Sequence, residues 1–220
     1  MSDFRTGPIV VINPNSSVPV TDGIRDCITH LAPSGGPVFE VTDIRSSPET
    51  ILTNEHVARA GITFAEMCVA RPDASCFVAA CFSDPGVELA RTLVKQPVLG
   101  IQECGIYAAM SRADLFGIIA LAPASVARHR VKIRAMGVES RMAGELALPG
   151  VSAEASGRDP AVYEMVVERG RALAEMGAGA IVLGCAGMAP VRARLEQDVG
   201  VAVIDPVQAG GAMALAAVGP

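Results

Sequence analysis

Six cysteines, at positions 27, 68, 76, 81, 104 and 185, are the most reactive side chains in this 220-residue sequence. No two form a CxxC pair, and no His or Cys set has metal-ligand spacing, so no metal site is expected. His30, His56 and His129 stand isolated on helix patterns, with exposed positions expected for all three. Cys27, Cys68 and Cys76 fall inside helix or strand patterns and read as core packing; Cys104 lies nearer a strand end, with packing still the favoured role. Cys81 and Cys185 differ. Each ends a continuous apolar run (Phe77–Ala80 and Ile181–Gly184), and each precedes small or polar residues and then a proline, Pro85 or Pro190. A thiol in that position is expected beside the free N–H groups of a helix start, which lower its pKa and hold an oxyanion. Such a group can take or give a proton.

The elements that would carry these groups alternate. Pro8–Ile12 reads as a strand, followed by the turn-rich Asn13-Pro14-Asn15-Ser16-Ser17 and a helix through Thr21, Ile24, Ile28 and Leu31. Pro37–Asp43 alternates as a second strand. A helix through Val57, Gly61, Phe64 and Cys68 follows, then the buried strand Ser75–Ala80, the turn Cys81–Gly86 with Asp84 as helix cap, a short helix Val87–Val94 and the strand Pro97–Ile101. Phe116–Leu121 starts the pattern again. Next come a helix through Val126, Arg130, Ile133 and Met136, a Gly- and Ser-rich stretch 144–159 with a weak strand, and a helix opened by Asp159-Pro160. Ala180–Leu183 and Val201–Ile204 read as strands, and Val207–Val218 as a small-residue helix.

The alternation is also a repeat. Asn13-Pro14-Asn15-Ser16 matches Ala122-Pro123-Ala124-Ser125 at a shift of 109, and Phe77-Val78-Ala79-Ala80-Cys81 matches Ile181-Val182-Leu183-Gly184-Cys185 at a shift of 104. The expectation is an α/β protein of two pseudo-symmetric, flavodoxin-like (Rossmann-like) halves. Each is a small parallel sheet with helices on both faces, and a cleft lies between them. The expected division is 1–104 plus 205–220 for the first half and 105–204 for the second. Ligands bind beyond the carboxyl ends of parallel strands, so the repeat sets Cys81 and Cys185 on opposite walls of one cleft. Two acid/base groups facing one carbon from opposite sides are what racemisation needs: one removes the proton, the other returns a proton to the opposite face. Donors from Asn13, Asn15, Ser83 and the backbone after Cys185 would stabilise the resulting carbanion.

Asn13-Pro14-Asn15-Ser16-Ser17, Cys81-Phe82-Ser83-Asp84-Pro85-Gly86 and Gly184-Cys185-Ala186-Gly187-Met188 together resemble the signatures of the aspartate/glutamate/hydantoin racemase superfamily. The resemblance is greatest to its hydantoin and allantoin branch and covers essentially the whole chain. It implies Cys81 and Cys185 as catalytic residues, an enzyme that uses no cofactor, and a homo-oligomer. Asn13, Asn15, Ser16, Phe82, Ser83, Ala186 and Gly187 are the expected substrate-binding residues. The chain departs from the pattern at Ala122-Pro123-Ala124, where relatives carry hydroxyls, and at Cys104, where a small Ala is common. A maleate-isomerase or arylmalonate-decarboxylase-like activity, an amino-acid racemase, and a noncatalytic thiol-containing binder of small ligands are the alternatives.

Composition narrows the partners. Apolar residues make up 50% and charged residues 19% of the chain, with a net charge of −5 and no block of like charge. Nucleic-acid and membrane surfaces are therefore not expected. Met1-Ser2-Asp3-Phe4-Arg5 lacks signal-peptide character, and reduced cysteines fit a cytoplasmic protein. All but two of the 18 basic residues are arginine, and Lys95 and Lys132 are poorly placed for a pyridoxal Schiff base. The cleft-facing loops Asn13–Ser17, Cys81–Gly86, Gln102–Gly105, Ala122–Ser125 and Gly184–Ala189 contain no Lys or Arg. That favours a neutral, hydantoin-like ring as the small-molecule substrate over a free amino acid.

Overall fold

The computed structural model describes residues 7–219, so the reading of Met1–Arg5 lies outside the described residues. The first run of elements is β1 (Ile9–Asn13), α1 (Val18–Ile28), β2 (Phe39–Asp43), α2 (Asn54–Val69), β3 (Cys76–Ala79), α3 (Val87–Leu93), β4 (Val98–Gly100) and α4 (Ile101–Met110). The second is β5 (Phe116–Ala120), α5 (Pro123–Ala135), β6 (Met142–Ala147), α6 (Ala155–Arg158), α7 (Pro160–Glu175), β7 (Ala180–Gly184), α8 (Arg192–Val199), β8 (Ala202–Ile204) and α9 (Pro206–Val218). The strands form two four-stranded sheets, β2-β1-β3-β4 and β6-β5-β7-β8. Every pairing is parallel. The second sheet repeats the order of the first, as a duplicated α/β unit requires. The central strands β1, β3, β5 and β7 are buried along their whole length, which is why they read as unbroken apolar runs.

The ladders correct the repeat's register. Ile9 pairs with Cys76 and Phe116 with Ala180. Matching Cys81 to Cys185 makes Cys76 equivalent to Ala180, so Ile9 is equivalent to Phe116, a shift of 107 rather than 109. The two-residue difference leaves each side chain on its expected face, because strands repeat every two residues. The match of Pro8–Ser16 to Gly117–Ser125 at a shift of 109 follows the similar turns and sets the strands two residues out of register.

Helix α4 is a further correction: Gln102–Gly105, expected as a cleft-facing loop, is helical. It begins directly after β4, and Asp84 caps it: the carboxylate accepts from the backbone N–H of Gln102 (2.8 Å) and Glu103 (3.1 Å). Asp84 therefore does not cap the helix after Pro85, whose N-cap is Gly86 at φ 78°. Pro190 likewise sits inside a short 3-10 turn, Ala186–Val191, rather than opening a helix. The Lys132 amine lies 3.6 Å from Asp84 and also meets Glu88 and Glu103, tying α5 to α3 and α4. Helix α4 packs on β7, β8 and α9, while α9 lies against β3, α1 and α4, so these two helices hold the two sheets together.

A Cβ at Gly100 would overlap the Asp84 carboxylate. Gly100→Ala is expected to lose about 2 kcal/mol of stability, a fall in Tm of roughly 4–8 °C for a chain of this size. Thermal unfolding followed by circular dichroism checks it; an unchanged Tm would contradict this role for Asp84.

Candidate active site

Three chain segments converge beyond the carboxyl ends of the strands. At the end of β1, buried Asn13 donates through Nδ2 to Asn15 Oδ1 (2.9 Å) and Thr21 Oγ1 (3.0 Å), and its Oδ1 accepts the Asn15 N–H (3.2 Å). Asn15 Oδ1 also accepts the Ser17 N–H (2.9 Å). Both of Asn13's polar ends are thus engaged in fixing the turn. Asn15 lines the pocket with its oxygen committed twice, which leaves its amide N–H groups for a ligand. Asn13 and Ser16, both expected to bind substrate, do not line the pocket.

Cys81 follows β3 and Cys185 follows β7, and both line one narrow pocket of about 30 Å³. Phe82, Ser83 and Ala186 line it too. Gly187 does not, but its N–H points at Cys185 Sγ from 3.4 Å. Burial pushes the Cys81 thiol up to about 12; the nearby Cys185 and Asp84 charges add to the rise, while the Ser83 N–H and the Arg128 guanidinium oppose it. Burial also raises the Cys185 thiol, against N–H groups of Gly187 and Met188 and the Ser156 hydroxyl. The sequence expectation of lowered thiol pKa values is corrected: the expected N–H donors are present, but desolvation outweighs them.

Helix α5 supplies pocket residues that no sequence motif marks. Pro123 opens the helix, so Ser125, Arg128 and His129, spaced by three and four, fall on one face toward the pocket. Arg128 Nε donates to Ser83 Oγ (3.1 Å) and Nη1 to Asn54 Oδ1 (3.2 Å). The cleft is therefore not free of cationic side chains. The loops contain none, but a residue one helical turn in reaches back. His129 is not exposed either. It retains 1% exposure, with Nδ1 2.6 Å from Glu145 Oε1. Of the expected inward positions Val126, Arg130, Ile133 and Met136, only Ile133 is fully buried, and Ser125 and His129 are the other buried positions. An i, i+3, i+4 set of polar residues just after a strand's carboxyl end was the available signal. Cys104 is buried off the pocket. Among the described residues, no group of three or more His, Cys, Asp or Glu side chains could hold a metal ion.

Two parallel four-stranded sheets of the same order, with two cysteines lining one shared pocket, define the class as a duplicated α/β fold. The Asp/Glu/Hydantoin racemase family model matches residues 9–214. The chain is 33% identical over 213 residues to hydantoin racemase from Paenarthrobacter aurescens, covering 91% of this chain and 86% of that one. It superposes on allantoin racemase from Klebsiella pneumoniae with a TM-score of 0.88 at 32% identity, covering 96% of this chain and 86% of that one. The allantoin racemase structure from Pseudomonas fluorescens, at 24% identity and TM-score 0.87, shares the fold over 95% of this chain and 89% of that one. The chain belongs to the Asp/Glu/hydantoin racemase family and is by that membership an isomerase. Among the described residues, no helix is long and apolar enough to cross a membrane.

The buried thiols set a stability limit in alkali. Cys68, Cys76 and Cys81 are raised from 9.0 to about 12, so the unfolded chain loses these protons first. Their contribution is fully present below pH 9 and is lost as pH rises toward 12. Tm is expected to fall across that window, and Cys81→Ala should make the decline shallower. A Tm flat from pH 9 to 11, or equal slopes for both proteins, would contradict it.

Proposed function

We propose that the protein is a cofactor-independent racemase of neutral cyclic ureides, 5-substituted hydantoins or allantoin, working by proton transfer between Cys81 and Cys185. The observation that carries this reading is the convergence of the two cysteines, from equivalent strands of a repeated sheet, on one pocket where a charge on Cys185 raises the Cys81 thiol. One thiolate removes the proton next to the ring carbonyl, and the other thiol protonates the opposite face. The charge on the first cysteine keeps the second protonated, so the pair supplies one base and one acid at a time. Asn15, Ser83 and the N–H groups after Cys185 are the donors for the developing enolate.

A cyclic ureide suits this wall. It presents amide edges to amide and hydroxyl groups, and its carbon acid is stronger than that of an amino acid. The one guanidinium lining the pocket is already bonded to Ser83 and Asn54 and is not set as a bidentate carboxylate clamp. The hydantoin and allantoin racemase relatives support the same substrate class.

Optical rotation tests it. Hydantoins or allantoin should lose rotation faster than aspartate or glutamate, with no CO₂ released from an arylmalonate; the reverse order, or decarboxylation, would contradict the proposal. Cys81→Ser and Cys185→Ser should each reduce racemisation by roughly 10³-fold, because a hydroxyl is a far weaker base than a thiolate. Either variant retaining near-wild-type racemisation removes that residue from the scheme. In the pH profile, kcat/KM should climb on the alkaline side of neutrality, as thiols raised by burial begin to ionise. Dialysis against EDTA should leave activity intact.

A further inference from the structure

The pocket wall contains a buried acid–base couple that the two-thiol scheme leaves unused. His129 on α5 bonds through Nδ1 to Glu145 on β6, and the Glu145 side chain has no exposed surface. Glu145 Oε2 has no hydrogen-bond partner among the described residues. Phe82, next to Cys81, meets the imidazole edge-on with ring centroids 5.1 Å apart. The Gln102 side-chain amide holds the His129 carbonyl at 3.2 Å. The ring is thus fixed by a carboxylate at one edge and a phenyl group beside it. An incompletely satisfied pair of this kind, withdrawn from water, is a poor stabiliser compared with packed apolar side chains. Its placement points to a task in the pocket, which His129 lines. With Nδ1–H given to Glu145, Nε2 is the uncommitted polar atom of the ring, and in that tautomer it accepts hydrogen bonds.

We propose that His129, oriented by Glu145, accepts a ring N–H of the cyclic ureide through Nε2 and so sets the orientation of the ring between the two thiols. The inference rests on the hydantoin-type reading above and deepens it. An acceptor at this point welcomes an amide N–H and repels a carboxylate edge, which makes it a filter for ureides against free amino acids. Sequence reasoning had no access to it, since Glu145 and His129 come from different elements.

The probe is 5,5-dimethylhydantoin, which lacks the transferable proton, together with its N1-methyl and N3-methyl derivatives. Binding is measured by calorimetry. Wild-type protein should bind one of the N-methyl derivatives at least about tenfold more weakly than the parent, the effect of leaving a buried acceptor unpaired. His129→Phe keeps a ring of similar size and should bring that ratio close to one, whereas His129→Gln, which retains an acceptor, should keep part of it. Histidine ¹⁵N spectra of the wild type should show Nε2 unprotonated and shifting when 5,5-dimethylhydantoin is added. A ratio unchanged in His129→Phe means that the methyl group is excluded by shape alone and overturns the inference; so does an Nε2 signal that does not respond. Racemisation of a hydantoin by the wild type is run in parallel. Its absence would defeat the functional reading, while its presence with an unchanged ratio would defeat only the assignment of His129.

Discussion

Two thiols share one desolvated pocket, and in it they cannot readily both be charged. Burial raises each, and a negative charge on Cys185 raises Cys81 further. The rest of the molecule can be understood as what holds that pair in place. The parallel sheets deliver Cys81 and Cys185 from the ends of β3 and β7, buried strands of identical topological rank. Helices α4 and α9 bind the sheets to one another. Asp84, capping α4 from the loop that begins at Cys81, links the first thiol's loop to that joint.

Stabilisation of negative charge is distributed differently around the two cysteines. Cys185 is served by local groups: the Gly187 and Met188 N–H groups and the Ser156 hydroxyl. Cys81 has the Ser83 N–H and a more distant arginine, whose guanidinium is fixed on the Ser83 hydroxyl. The halves repeat a fold, but the pocket they enclose is not symmetric. Arg128, His129 and Glu145 all come from the second half, and Asn15 with its Asn13–Thr21 support comes from the first.

Much of this was legible in the sequence, and the limits have physical causes. Period and punctuation revealed the buried strands, because a strand covered on both faces must be continuously apolar. The repeat of those runs sets Cys81 and Cys185 at equivalent strand ends, and both line one pocket. Local pattern failed where one element acts on another. Local sequence makes Asp84 a cap for the adjacent helix, whereas its carboxylate reaches residues 102 and 103. Helix α4 was hidden because it starts without a turn, directly from β4. The inward face of α5 was misplaced because polar Ser125 and His129 are buried toward the pocket while apolar Val131 faces solvent at 65% exposure. A polar face that serves a site inverts the usual hydrophobic pattern, and single-sequence periodicity cannot distinguish it from a solvated one.

The most direct test of the two-thiol account is the isotopic fate of the transferred proton. Each enantiomer of a 5-substituted hydantoin is incubated with the protein in D₂O, and both enantiomers are analysed at low conversion by chiral chromatography with mass spectrometry. The account predicts deuterium in the newly formed enantiomer and protium in the remaining substrate, whichever enantiomer is supplied, because the acid that delivers is not the base that removed. Protium carried into the product, or deuterium appearing equally in both enantiomers from the start, would mean that a single group does both jobs and would contradict it.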